Sequence, residues 1–146
     1  MAMRGWVWLA AAALLLALGA CARTPPEQRL RETVATLQAA LQARQAGPLR
    51  QTLAEDFVGP EGLDRDAAVR LAQGLFLRHR RIGADILGPL QVQLQPGHAS
   101  VRFELALTGG SGGVLPESAR IYSVETGWRL EDGDWRLTSA RWTPRL

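Results

Sequence analysis

Tyr122 is the single tyrosine of the chain, and its phenol is the natural starting point for a search for acid–base chemistry. Counted by twos along a strand, it shares a face with Val124, Thr126, Trp128 and Leu130. An Asp132-Gly133 turn would set the strand that follows, so that Leu130 faces Trp135, Trp128 faces Leu137 and Thr126 faces Ser139. In that register Ser139 and Arg141 join the face of Tyr122. A phenol beside a carboxylic acid can donate hydrogen bonds to a carbonyl oxygen while a second carboxylate removes a proton. The second acid is hard to find, because Glu104 and Glu125 fall on the face opposite the apolar set. The plainer reading makes Tyr122 a core aromatic with its hydroxyl satisfied at the sheet end, and Asp56 a local cap or ion-pair partner.

The remaining chemistry-bearing residues form no site by spacing. His98 sits in a Pro-Gly turn and His79 among arginines, with no Cys/His/Asp/Glu cluster at metal-ligand spacing. Ser111 lies in Gly-Gly-Ser-Gly-Gly without the strand–turn–helix context of a nucleophile elbow. That loop is no phosphate cradle either, because no lysine and no helix follow it. No cofactor and no metal are indicated.

The elements that would position these residues are legible from periodicity. Ile121 to Trp142 alternates apolar and polar residues around Asp132-Gly133, a strong hairpin signal. Two further strands precede it: Asp85 to Gln95, bent at Gly88-Pro89, and Ala99 to Leu107 after a Pro96-Gly97-His98 turn. Upstream the period is helical. Leu30, Val34, Leu37 and Leu41 mark a helix from about Pro25 to Ala46, with Thr24 as cap and Gly47-Pro48 as stop. Leu49, Leu53 and Phe57 mark a shorter second helix. A third runs from an Asp64 cap through Val69, Ala72, Leu75 and Phe76 to Gly83.

At 146 residues and 47% apolar content, the chain has room for one domain with a real core. All 17 basic residues are arginine, and the formal net charge is +3. The charges are interspersed, so no nucleic-acid footprint is expected. Arg78, Arg80 and Arg81 would complement the dipole of the third helix, with contact to anionic lipid as the sharper alternative. One cysteine, Cys21, excludes an internal disulfide framework.

The N-terminus reads as an address. Arg4 precedes an uncharged apolar run, Val7 to Gly19, of secretory h-region length and too short for a membrane-spanning helix. Leu18-Gly19-Ala20-Cys21 resembles the lipobox of bacterial lipoproteins. That resemblance implies a signal peptide over 1–20, lipidation of Cys21, a short tether over 21–24 and a domain over 25–146. Membrane attachment would then run through acyl chains. By resemblance to Gram-negative lipoproteins, Ala22 after the cysteine implies the outer over the inner membrane, with the domain facing the periplasm.

Three helices followed by about four long antiparallel strands read as an α+β fold with helices on one face of a curved sheet. The amphipathic first helix, Leu53-Ala54-Glu55-Asp56-Phe57, the capped helix from Asp64 and the closing stretch Trp128 to Leu137 resemble the nuclear transport factor 2-like superfamily. That superfamily includes ketosteroid isomerase-like and polyketide cyclase-like proteins. The resemblance implies a cone-like sheet whose concave face is roofed by the helices around a pocket. Tyr122, Thr126, Ser139 and Arg141 would line it, approached by Asp56 and by Phe76 or His79. It also implies a homodimer contact on the convex face, where parity puts Trp142 unless a bulge resets the last strand. The expected function is a lipid-anchored, non-catalytic module that binds a small apolar ligand or presents a surface to a partner. The alternative is an isomerase- or cyclase-type enzyme at the same pocket.

Overall fold

The computed structural model describes residues 5, 7–8, 23–113, 116 and 118–145. Cys21 and its lipobox lie outside the described residues. Among the described residues no helix is long and apolar enough to cross a membrane.

From residue 26 the chain forms α1 (Pro26–Gln42), α2 (Ala46–Thr52), β1 (Leu53–Val58), a 3-10 turn (Pro60–Gly62), α3 (Arg65–Arg78), β2 (Arg81–Gln95), β3 (His98–Gly110), β4 (Ser118–Glu131) and β5 (Asp134–Pro144). The strands make one five-stranded sheet in the order β1-β5-β4-β3-β2. Helix α1 packs along β2, and α3 against β1. Leu30, Val34 and Val69 from the helices meet Phe57, Val101, Trp128, Trp135 and Leu137 from the strands in one core. The fold is the expected α+β arrangement with helices on one face of the sheet.

Several local expectations are corrected. Helix α1 starts at Pro26 without a side-chain cap. The residue at the cap position is Pro25, whose side chain has no oxygen to accept from the first turn. The helix stops at Gln42, because Arg44 takes φ 55° and Gln45 N–H closes back on the Ala40 carbonyl at 2.9 Å. Leu53 to Phe57 belongs to no helix. It is β1, a fifth strand running parallel to β5, with Leu53 opposite Leu137. The spacing of Leu49, Leu53 and Phe57 fits a helix, yet pairing with β5 satisfies the backbone while still burying Leu53 and Phe57.

The Asp64 cap holds, its carboxylate accepting from Ala67 N–H at 2.8 Å. Val69, Ala72 and Phe76 are the buried stripe of α3. That helix ends at Arg78, five positions before the expected glycine stop at Gly83. Gly83 instead lies inside β2 opposite Thr108. A Cβ there would come within 2.2 Å of Thr108 Oγ1, so the glycine serves a close approach.

At the last hairpin, Asp132 and Gly133 both take positive φ, 49° and 84°, as a type I′ turn requires. Leu130 faces Trp135 and Trp128 faces Leu137. Then the register shifts, and Gly127 faces Ser139, Thr126 faces Ala140 and Val124 faces Trp142. Thr138 is the extra residue. Such a bulge moves every later side chain of β5 to the other face.

Candidate functional site

On the face covered by the helices, the register stacks side chains in rows. Ala99, Trp128 and Leu137 form one row, and Val101, Thr126 and Ala140 the next. Phe103, Val124 and Trp142 follow, then Leu105, Tyr122 and Pro144. Burial falls along this series. Ala99, Val101, Trp128 and Leu137 are buried, whereas Phe103, Leu105, Tyr122 and Trp142 are only partly so. The most buried rows, at the Asp132-Gly133 end, form the floor of this face, and toward Tyr122 the partly exposed Phe103, Tyr122 and Trp142 form its mouth.

The expected site residues do not assemble. Tyr122 is at the mouth. Thr126 is buried beneath it, its hydroxyl donating to Val101 O and accepting from Trp128 Nε1, both at 2.8 Å. Phe76 is buried in the α3 stripe. Ser139 and Arg141 are exposed on the outer face, opposite Gly127 and Glu125. The Thr138 bulge puts them there and brings Trp142 inside in their place. The break in alternation at Trp142 was the one sequence signal for this exchange.

Asp56 is also on the outer face. Arg129 Nη1 and Nη2 donate to its two oxygens at 3.0 and 2.9 Å, and Arg129 Nε donates to Glu131 at 2.8 Å. These hydrogen bonds from Arg129 hold the Asp56 carboxyl below the usual carboxylate range and raise the guanidinium of Arg129. A general base working near neutrality needs the opposite shift. Arg129 follows Trp128 by one position, so it and Asp56 lie across the sheet from Tyr122.

The pair predicts a pH dependence. The Asp56 value is depressed by folding. Its contribution to stability is therefore full above the unfolded value, about 3.9, and disappears as pH falls through the folded one. The urea midpoint of the parent chain is expected to exceed that of Arg129→Gln at neutral pH, and the difference to vanish near about pH 2. Added salt should shrink it as well, since Asp56 is 65% exposed and solvent screens the pair.

Around this pair an open groove of about 830 Å³ runs beside β1, lined by Asp56, Arg65, Arg129, Glu131, Asp134 and Arg136 among others. Its guanidiniums are engaged. Arg65 donates to Arg50 O, and Arg136 to Gln51 O. A second groove of about 500 Å³ crosses the outer face at Ser100, Arg102, Glu125 and Arg141. Glu104 lies on the same face, held below its ordinary value by the Ser123 hydroxyl and then by Arg145. Polar and charged side chains thus stand on the convex face beside Ala106 and Ile121, and Trp142 is not among them.

His98 is exposed at the β2–β3 turn. The ring of His79 lies against Gly109, where a Cβ would meet it at 2.7 Å. Among the described residues no group of three or more His, Cys, Asp or Glu could hold a metal. The basic cluster after α3 sits at the far end of α1. Arg44, just past α1, donates to the carbonyls of Phe76 and His79 at 2.8 and 3.0 Å. Seventeen helical residues separate that end from the N-terminal end by about 25 Å.

No protein-family model and no curated protein sequence matches the chain. Solved structures do. A nuclear transport factor 2-like superfamily protein from Salmonella enterica serovar Typhimurium superposes with a TM-score of 0.69 at 10% identity, covering 83% of this chain and 92% of that one. An uncharacterized cystatin-like fold protein from Caulobacter vibrioides gives 0.68 at 11% identity, covering 82% and 89%. Bd1075 of Bdellovibrio bacteriovorus gives 0.71 at 11% identity, covering 81% of this chain but 41% of that longer one. At such identities the likeness is one of fold, and this fold carries many unrelated activities.

Proposed function

We propose that the chain is a lipid-anchored cell-envelope domain whose open mouth holds an apolar or amphipathic small molecule without transforming it. One observation carries this reading. The partly exposed Phe103, Trp142, Leu105 and Tyr122, set around buried Val124, are apolar except for one phenol, while Asp56, Glu104 and Arg141 stand on the opposite face. A mostly apolar surface with one orienting hydroxyl suits binding. Proton transfer would need an acid or base within hydrogen-bond reach of the same ligand. The anchor rests on the lipobox resemblance at Cys21, and the outer-membrane, periplasm-facing address on Ala22.

Native mass spectrometry of the protein made in its own host is the test. The expected spectrum shows one small molecule retained per chain. Trp142→Ala should weaken its binding by about thirtyfold, as loss of a central aromatic contact does, and Tyr122→Phe should weaken it less. A chain that carries nothing would overturn the reading. A retained compound converted on incubation with fresh protein would replace it with the isomerase- or cyclase-type alternative.

A further inference from the structure

The geometry points to a second copy of this chain as the partner of the outer edge of β2, pairing strand to strand to make one continuous sheet. Strand β2 is the last in the sheet order. At its start the edge is covered, since Gln38 and Gln42 side chains both donate to the Ala84 carbonyl, at 2.8 and 2.9 Å. Beyond the bulge between Leu87 and Gln91 the edge runs free to Pro96.

The direction of the backbone groups there follows from the hairpin. Gln95 and His98 close a two-residue turn, so their N–H and C=O groups face each other. Alternation then turns those of Leu94 and Val92 outward. Ala84 obeys the same parity, because the bulge inserts two residues and preserves it. Among the described residues no partner reaches the outward groups of Val92 and Leu94.

Beyond Pro89 and the bulge, nothing from Leu90 to Gln95 discourages pairing. Exposed edges are ordinarily guarded by charge, shortness, proline or a bulge. No Asp, Glu, Lys or Arg occurs from Ile86 to Val101, and Leu94 is 44% exposed. The other edge, β1, is guarded by charge, since it carries Glu55 and Asp56. Leu-Gln-Val-Gln-Leu-Gln over 90–95 is self-complementary. A two-fold axis at Gln93 sets Val92 opposite Leu94 of the second copy on the inner face, and glutamine opposite glutamine on the outer. The two Val92–Leu94 pairs would exchange about four backbone hydrogen bonds. Both remaining edges of such a dimer are the acidic β1, so the contact closes on itself instead of growing into a fibre.

Single cysteines introduced from Gln91 to Gln95 in the full chain, oxidised in membranes of its host, test this. At the axis the two Gln93 Cα atoms would stand about 4.5 Å apart, within disulfide reach. Gln93→Cys is expected to give the strongest disulfide-linked dimer, with none from Glu55→Cys or Ser139→Cys. Adding Leu94→Pro removes an outward N–H that β3 does not use. It should cut the linked fraction by about tenfold while leaving the urea midpoint nearly unchanged. No linkage anywhere from 91 to 95, equal linkage at Glu55→Cys, or linkage to a protein of different mass would each overturn the inference.

Discussion

Replacing Trp128 by alanine is expected to lower the unfolding free energy by about 3–5 kcal/mol, the range for truncating a buried aromatic. The side chain is 2% exposed and lies between Ala99 and Leu137 on the cone floor, under Leu30 and Val34 of α1. Its indole N–H also anchors a buried chain of hydrogen bonds, from Trp128 Nε1 to Thr126 Oγ1 and on to Val101 O. Trp128→Phe should keep much of the packing yet leave the Thr126 hydroxyl short of a donor. Thr126→Val strands the indole N–H in a dry interior, for about 1–3 kcal/mol. Urea unfolding at one pH, followed by tryptophan fluorescence and circular dichroism together, measures all three. A loss below about 1 kcal/mol for Trp128→Ala would mean that the floor is not the packed centre described here.

Cys21→Ser is expected to abolish acylation altogether. The chain made in its host should lose all incorporation of labelled palmitate. The parent's mature mass should correspond to residues 21–146 plus acyl chains. Stable attachment requires more than one hydrocarbon chain, because a single one binds only marginally. A mature protein beginning elsewhere, or label retained by Cys21→Ser, would remove the anchor from the proposal and leave the cone untouched. The anchor also constrains posture. Five residues from Cys21 to Pro25 span at most about 18 Å, so the start of α1 would stay near the bilayer. The arginines after α3, at the other end of α1, reach lipid only if that helix lies along the surface. An upright α1 would turn them to the periplasm, which weakens the lipid-contact alternative for Arg78, Arg80 and Arg81.

Elements written in short-range rules were legible. The Asp132-Gly133 turn, the Asp64 cap, the Gly88-Pro89 irregularity and the two strands between are decided by the φ angles, caps and period-two patterning of a few neighbours. So was the fold class, because three helical stretches followed by long alternating strands leave few ways to bury their apolar faces. Three features needed the assembled molecule. Leu53 to Phe57 fits helix or strand by spacing, and only the free edge of β5 makes it a strand. Thr138 is passed over in the pairing of β5 with β4. Nothing local to Thr138 marks it, yet it decides that Trp142 lines the mouth while Ser139 and Arg141 do not. Asp56 meets Arg129 across 73 positions of sequence, a pairing that no local pattern encodes. Local rules act over a few bonds and can be read in order along the chain. The make-up of a site depends on which side of a sheet each residue reaches, and one extra residue inverts that for all that follow.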